Sequence, residues 1–147
     1  MAHVFGIQRM TLKPGIDAEE FEQFMKADVF PTLSQVFQDD KTITHGFTAA
    51  NWLDSKQFLL RGSQEGEYLR MVVASCEGSK AATDEGRVLL HKETNAKTSE
   101  IFETVPRSAP GKLNTLATRT AIDTYVEMVQ FPHRKGPFPD DSADTNP

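Results

Sequence analysis

The chain has 147 residues, 38% of them hydrophobic and 25% charged, with 21 acidic against 16 basic side chains and a formal charge of −5. That is the length and composition of one ordinary globular domain, which excludes a disordered tail, a fibrous repeat and a membrane-spanning protein. The acidic balance supplies no electrostatic drive toward nucleic acid or an anionic membrane, so neither is expected as a partner.

Residues 3–12, HVFGIQRMTL, are rich in β-formers and stop at Lys13-Pro14-Gly15, which predicts a strand and its turn. Asp17 with Glu20 three residues later has the spacing of a capping box, so a helix should begin there. Phe21, Phe24, Met25 and Val29 recur at helical spacing and form its buried stripe. Pro31 lacks an amide hydrogen and crowds the preceding turn, so a break or kink is expected, with Leu33, Val36 and Phe37 resuming in a second helical piece.

Residues 42–53, TITHGFTAANWL, read as a second strand that continues through QFLLRG (57–62). SQEGE (63–67) is a turn, with Gly66 as its positive-φ residue. YLRMVVASC (68–76) is the clearest strand in the chain. Helix formers fill 80–102, interrupted by Gly86. Pro106, Pro110 and Gly111 make 103–120 an irregular excursion with a short helical turn near Leu113–Ala117, and TYVEMVQF (124–131) is a last strand. Residues 132–147 hold four prolines and nothing to bury, and read as a flexible tail. One domain over 1–131 is therefore expected.

Cys76 is the only cysteine, so no intrachain disulfide forms, and its apolar strand context suits a small inert hydrophobe rather than a nucleophile. The opening MAHVFGIQRM lacks a basic region followed by an apolar run, so a cytoplasmic protein is expected. GxxxxGK[ST], GxGxxG, HExxH, CxxC and GxSxG are all absent. Nucleotide, zinc and serine-hydrolase chemistry are thus unsupported, and no cofactor or metal is expected.

The order β-α-β-β-α-β predicts an α+β, ferredoxin-like fold: an antiparallel four-stranded sheet with two helices on one face. The first strand is apolar on both faces, with Val4, Met10 and Leu12 on one and Phe5 and Ile7 on the other. Two helices cover one face only, so a second copy packed sheet to sheet is the expected cover for the other.

With these elements in place, HVFGIQRMTLKPGIDAEEFEQF, GSQEGEYLRMVVASC, the helix that follows and TYVEMVQF together resemble the dimeric α/β-barrel superfamily. It includes antibiotic-biosynthesis monooxygenases, haem-degrading monooxygenases, polyketide cyclases, ether-degradation proteins and stress-responsive proteins. The resemblance implies a homodimer with a pocket between each protomer's sheet and helices, suited to a small apolar or aromatic ligand. It implies no single reaction.

Strand alternation sorts the side chains that could act there. His3 shares a face with Phe5, Ile7, Arg9 and Thr11, and Tyr68 with Arg70, Val72, Ala74 and Cys76. His3 resembles the first-strand acid/base histidine of the cyclase branch, and an imidazole suits proton transfer near neutral pH. Arg9 and Arg70 read either as a cationic site for a carboxylate or enolate, or as cross-strand partners of Glu127. Asn51 and Trp52 match the residue types with which the cofactor-free monooxygenases of the superfamily hold an aromatic substrate. The alternative for Trp52 is a core or interface anchor. Tyr68 and His45 complete the expected substrate-binding set beside catalytic His3, Arg9 and Arg70. His91 is the one residue of the second helix that could ligate haem. Three readings follow: a cofactor-independent monooxygenase or cyclase, a non-catalytic ligand-binding or stress-responsive dimer, and a haem-binding member.

Overall fold

The computed structural model describes residues 2–39, 52–76 and 84–137. The central strand β1 (Ala2–Leu12) pairs antiparallel with β3 (Glu67–Cys76) over their whole lengths, from Ala2 opposite Cys76 to Thr11 opposite Glu67. On its far side β3 pairs with β2 (Trp52–Arg61) through a tight turn, where Gly62 N–H donates to Glu67 O at 2.7 Å and Gly66 has φ of +81°. The other edge of β1 is taken by two short strands in succession. β4 (Ala117–Arg119) lies against Met10–Leu12, and β5 (Asp123–Val126) lies against Val4–Ile7. They are one edge strand interrupted at 120–122, so the sheet runs β2, β3, β1, then β4 with β5. With its crossover helices this is the ferredoxin-like α+β topology.

Helix α1 (Ala18–Phe24) starts where Asp17 caps it, the carboxylate accepting from Glu20 N–H at 3.3 Å. A π-helical turn, Met25–Val29, then leads without a break into α2 (Phe30–Asp39). The chain therefore does not break at Pro31. The wider turn, in which Phe30 N–H bonds back to Met25 O, relieves the crowding of the preceding carbonyls by the proline ring, and Pro31 sits exposed in the first turn of α2. Helix α3 (Asp84–Thr104) runs straight through Gly86. Its Thr98, Ile101 and Phe102 are buried, the i, i+3, i+4 stripe of a helix lying on a sheet.

Helix α4 (Lys112–Leu116) and β4 occupy the stretch expected to be an irregular excursion. The expected last strand over 124–131 ends instead at Val126, and Met128, Val129 and Phe131 are 80%, 83% and 85% exposed. Glu127 N–H still donates to His3 O at 2.8 Å, one residue beyond the end of β5.

The core lies between the sheet and the helices. Phe21, Phe24, Met25, Val29 and Leu33 from the first helical stretch meet Met10, Tyr68, Ile101, Phe102, Leu113 and Leu116. The opposite face of the sheet is also largely apolar and, among the described residues, bare of any helix: Phe5 and Ile7 on β1 and Leu69, Met71 and Val73 on β3 are half-buried, and Phe58 and Leu60 on β2 are 38% and 39% exposed.

Candidate functional site

The register decides which side chains share a site. In an antiparallel pair, residues directly opposite project from the same face. Gln8 faces Arg70 and Met10 faces Tyr68, both pairs under the helices, while Arg9 faces Leu69 and His3 faces Ser75 on the bare face. The expected catalytic set is thus divided by the sheet. His3 and Arg9 lie on one side, and Arg70 and Tyr68 on the other. His45 and Asn51 lie outside the described residues, as do the side chains of Trp52, Cys76 and His91; Trp52 opens β2 opposite Cys76, and His91 falls within α3.

On the bare face His3 pairs with Glu127. The carboxylate stands 2.7 Å from His3 Nδ1 and also accepts from His3 N–H at 3.0 Å. These bonds, the side-chain one foremost, hold the Glu127 carboxyl below the usual carboxylate range. Glu127 is therefore not the partner of Arg70 or Arg9. It orients an imidazole at the end of the sheet, half exposed.

Under the helices, Tyr68 packs its ring on Phe21 with centroids 4.8 Å apart, and its hydroxyl donates to Glu22 at 2.6 Å. Arg61 donates to both oxygens of the same carboxylate at 2.7 and 3.0 Å. The Tyr68 hydroxyl and then Arg61 hold the Glu22 carboxyl below its ordinary value. Tyr68 is thus a member of the core that ties α1 to the sheet, rather than a wall of a cavity.

Arg70 is buried, 2% exposed, beneath α3. Its Nη1 reaches Gln8 Oε1 at 3.5 Å, its Cζ stands 5.5 Å from the centroid of the Phe102 ring, and its Nε has no acceptor. Among the described residues no carboxylate pairs with it. Burial pushes the guanidinium down to about 10. Gln8 connects this charge to the outside: its Nε2 donates to Thr120 O at 2.9 Å, where the edge strand is broken.

A cleft of about 470 Å³ opens at that break, between the β1–β4 edge and α3. Gln8, Asn95, Ser99, Asn114, Arg119 and Thr120 line it, with Lys13 at its rim. Arg119 is held by Glu103 at 2.8 Å and by the Asn114 amide oxygen, and its Cζ stands 5.1 Å from the same Phe102 ring that Arg70 overlies. The Asn114 amide N–H donates to Glu103 at 2.9 Å, and these two partners, Asn114 foremost, lower the Glu103 carboxyl. Lys13 Nζ donates to Asn114 O. The lining is mostly polar, unlike the apolar or aromatic pocket expected from the sequence. Among the described residues no histidine or carboxylate lines it and no group of side chains suits a metal ion. No helix among them is long and apolar enough to cross a membrane.

Gln8 carried a signal that sequence reasoning missed: a polar residue in phase with Val4, Met10 and Leu12 on a buried face. Asn95 was equally legible, three residues before Thr98 and in line with the stripe of α3. Arg119 and Asn114 carried none, because 103–120 has no periodicity to place them.

No protein-family model matches the chain, and no curated protein does. Among solved structures, a dimeric ferredoxin-like protein from an uncultured marine organism is similar in outline, at 14% identity and a TM-score of 0.38, over 89% of this chain and 99% of that one.

Proposed function

We propose that the chain is a small-molecule-binding protein that works as a sheet-to-sheet homodimer, with its ligand in the cleft between β1, β4 and α3. The observation that supports the binding site is the cleft itself: about 470 Å³, floored by the buried Gln8 amide and walled by further amides, hydroxyls and Arg119. Such a space holds a molecule of metabolite size, and the fixed polar groups orient it. The non-catalytic reading is favoured over a cofactor-independent monooxygenase or cyclase. The histidine–carboxylate pair found among the described residues, His3 with Glu127, stands on the opposite face of the sheet. The two cations of the cleft, Lys13 and Arg119, are both engaged with neighbours.

The second copy is argued from the bare apolar face. Four strands about 4.8 Å apart and about 30 Å long present a face of roughly 19 by 30 Å. Pairing two such faces removes on the order of 1,000 Å² of surface, the threshold of a stable interface. Light scattering should give a mass near twice the chain's 16.4 kDa; a monomer at micromolar concentration refutes the dimer. For the cleft, a screen of polar metabolites followed by amide shifts of Gln8, Asn95 and Thr120 should return ligands that perturb all three. Perturbation confined to the bare face refutes the site.

A further inference from the structure

The interior behind the cleft holds a positive charge that no described carboxylate answers. Arg70 is buried, its Nε–H has no acceptor, and among the described residues no carboxylate pairs with it. Thr98 Oγ1, on the inward stripe of α3, is likewise buried without a partner. Buried arginines are ordinarily paired, and buried polar atoms ordinarily bonded. Gln8 stands between this charge and the cleft, one end of its amide on Arg70 and the other on Thr120 O. Arg119 brings a second guanidinium to the same phenyl ring from the cleft side, and Lys13 a third cation to the rim. Against these three, the carboxylate that the described residues bring beside the cleft is Glu103, already bound to Arg119 and Asn114.

We propose that the cleft takes a small carboxylate, with Arg119 at the wall and Arg70 behind Gln8 supplying the positive charge that answers it. This rests on the ligand-binding reading above and names its chemical class. A charge held in a dry interior is screened less than one at the surface, so Arg70 acts on an anion in the cleft without touching it. The amides of Asn95 and Asn114 and the hydroxyls of Ser99 and Thr120 then meet the neutral polar part of the molecule. The role of Gln8 is to hand the interior charge to the cleft, its Oε1 polarised by Arg70 and its amide hydrogens turned outward.

Matched pairs test this directly: 4-hydroxybenzoate against 4-hydroxybenzamide, and succinate against succinamide, titrated into the isotope-labelled protein. Each carboxylate should bind at least about tenfold tighter than its amide, the expected effect of a charged over a neutral hydrogen bond. Arg70→Met should weaken the carboxylates by a similar factor and leave the amides unchanged. Arg119→Gln, outside the core, should do the same independently. Equal binding of acid and amide overturns the charge assignment while leaving the site, as does undiminished carboxylate binding in both variants. A response to inorganic phosphate with none to either carboxylate overturns the choice of anion. No perturbation at Gln8, Asn95 or Thr120 by any of the four molecules overturns the cleft as a binding site altogether.

Discussion

Arg70→Met is expected to leave the protein at least as stable, although it removes a buried, hydrogen-bonded and stacked side chain. The guanidinium lies buried under α3, and burial pushes it well below its ordinary value, to about 10. It remains protonated at neutral pH, so the strain falls on the fold rather than on the charge. At about 1.4 kcal/mol per tenfold change in proton affinity, holding that cation in the interior costs on the order of 3 kcal/mol. What methionine forfeits is nearly as large. The contact with Gln8 is long, at 3.5 Å, but the stacking over Phe102 is desolvated and contributes about 2 kcal/mol. Gln8 Oε1 loses its donor, which costs about 1 kcal/mol. The unbranched thioether fills the same channel between β3 and Phe102 with little change of shape. The balance lies between zero and a gain of about 1 kcal/mol, or a rise in Tm of at most about 4 °C for a chain of this size. Urea unfolding at neutral pH should show an equal or higher midpoint with an unchanged slope. A midpoint lowered by a kcal/mol or more refutes the account, because it means that Arg70 is favourably solvated or paired in the folded state.

Met71 lies at the centre of the bare face, between Ile7 and Phe58 in register, so Met71→Asp should convert the dimer to a folded monomer by light scattering; a dimer that survives a carboxylate there is not held by this face. Glu127 is held below its ordinary 4.5 chiefly by His3, so its pairing adds stability above that pH and loses it as acid protonates the carboxylate below. Glu127→Gln should therefore flatten the fall in Tm on acidification below about pH 4.5, and an unchanged acid limb would show that the pair adds nothing.

Much of the fold was legible because the chain punctuates itself. Lys13-Pro14-Gly15 closes β1, Asp17 caps α1, and the glycine of SQEGE turns β2 into β3 with the positive φ that the turn requires. Alternation also sorted each strand's side chains into the right two sets. What it could not supply was the phase between strands. His3 with Arg9 and Tyr68 with Arg70 are each correct groupings, but only the pairing of Gln8 with Arg70 shows that the second group lies under the helices and the first does not. Such a phase is a long-range property of register, and no window of sequence contains it. The π-helical turn before Pro31 was hidden because a helix there accommodates a residue it should exclude, and the alternation of 124–131 carries no local mark of where pairing ends.

The broken edge strand is the feature that joins fold to site, and Asn95 is what keeps it broken. The chain leaves the ladder after Thr120, whose N–H still donates to Arg9 O at 3.0 Å, and side chains meet the backbone groups that follow and that Thr120 leaves over. Thr120 O accepts from Gln8, Thr120 Oγ1 accepts from Arg9 N–H, and Asn95 meets both groups of Ile122, accepting its N–H at 2.8 Å and donating to its carbonyl at 2.9 Å. Ile122 is thereby turned inward over Gly6, where a Cβ would stand 3.4 Å from its Cγ2. The chain re-enters the sheet at Asp123 one step later, and the gap left behind is the mouth of the cleft. Asn95→Ala removes both bonds and leaves a half-buried N–H and C=O unmet, a loss of about 2–4 kcal/mol. Asn95→Asp keeps the acceptor for the Ile122 amide but sets a carboxylate against its carbonyl, so it should recover only part of that loss. Hydrogen exchange of the Ile122 amide is the decisive measurement, because it reads the edge strand separately from the core. It should accelerate in both variants, more in alanine, while amides of β3 slow or hasten only with global stability. Protection at Ile122 that survives Asn95→Ala would mean that the break is held by the strands on either side of it, with the asparagine merely adjacent.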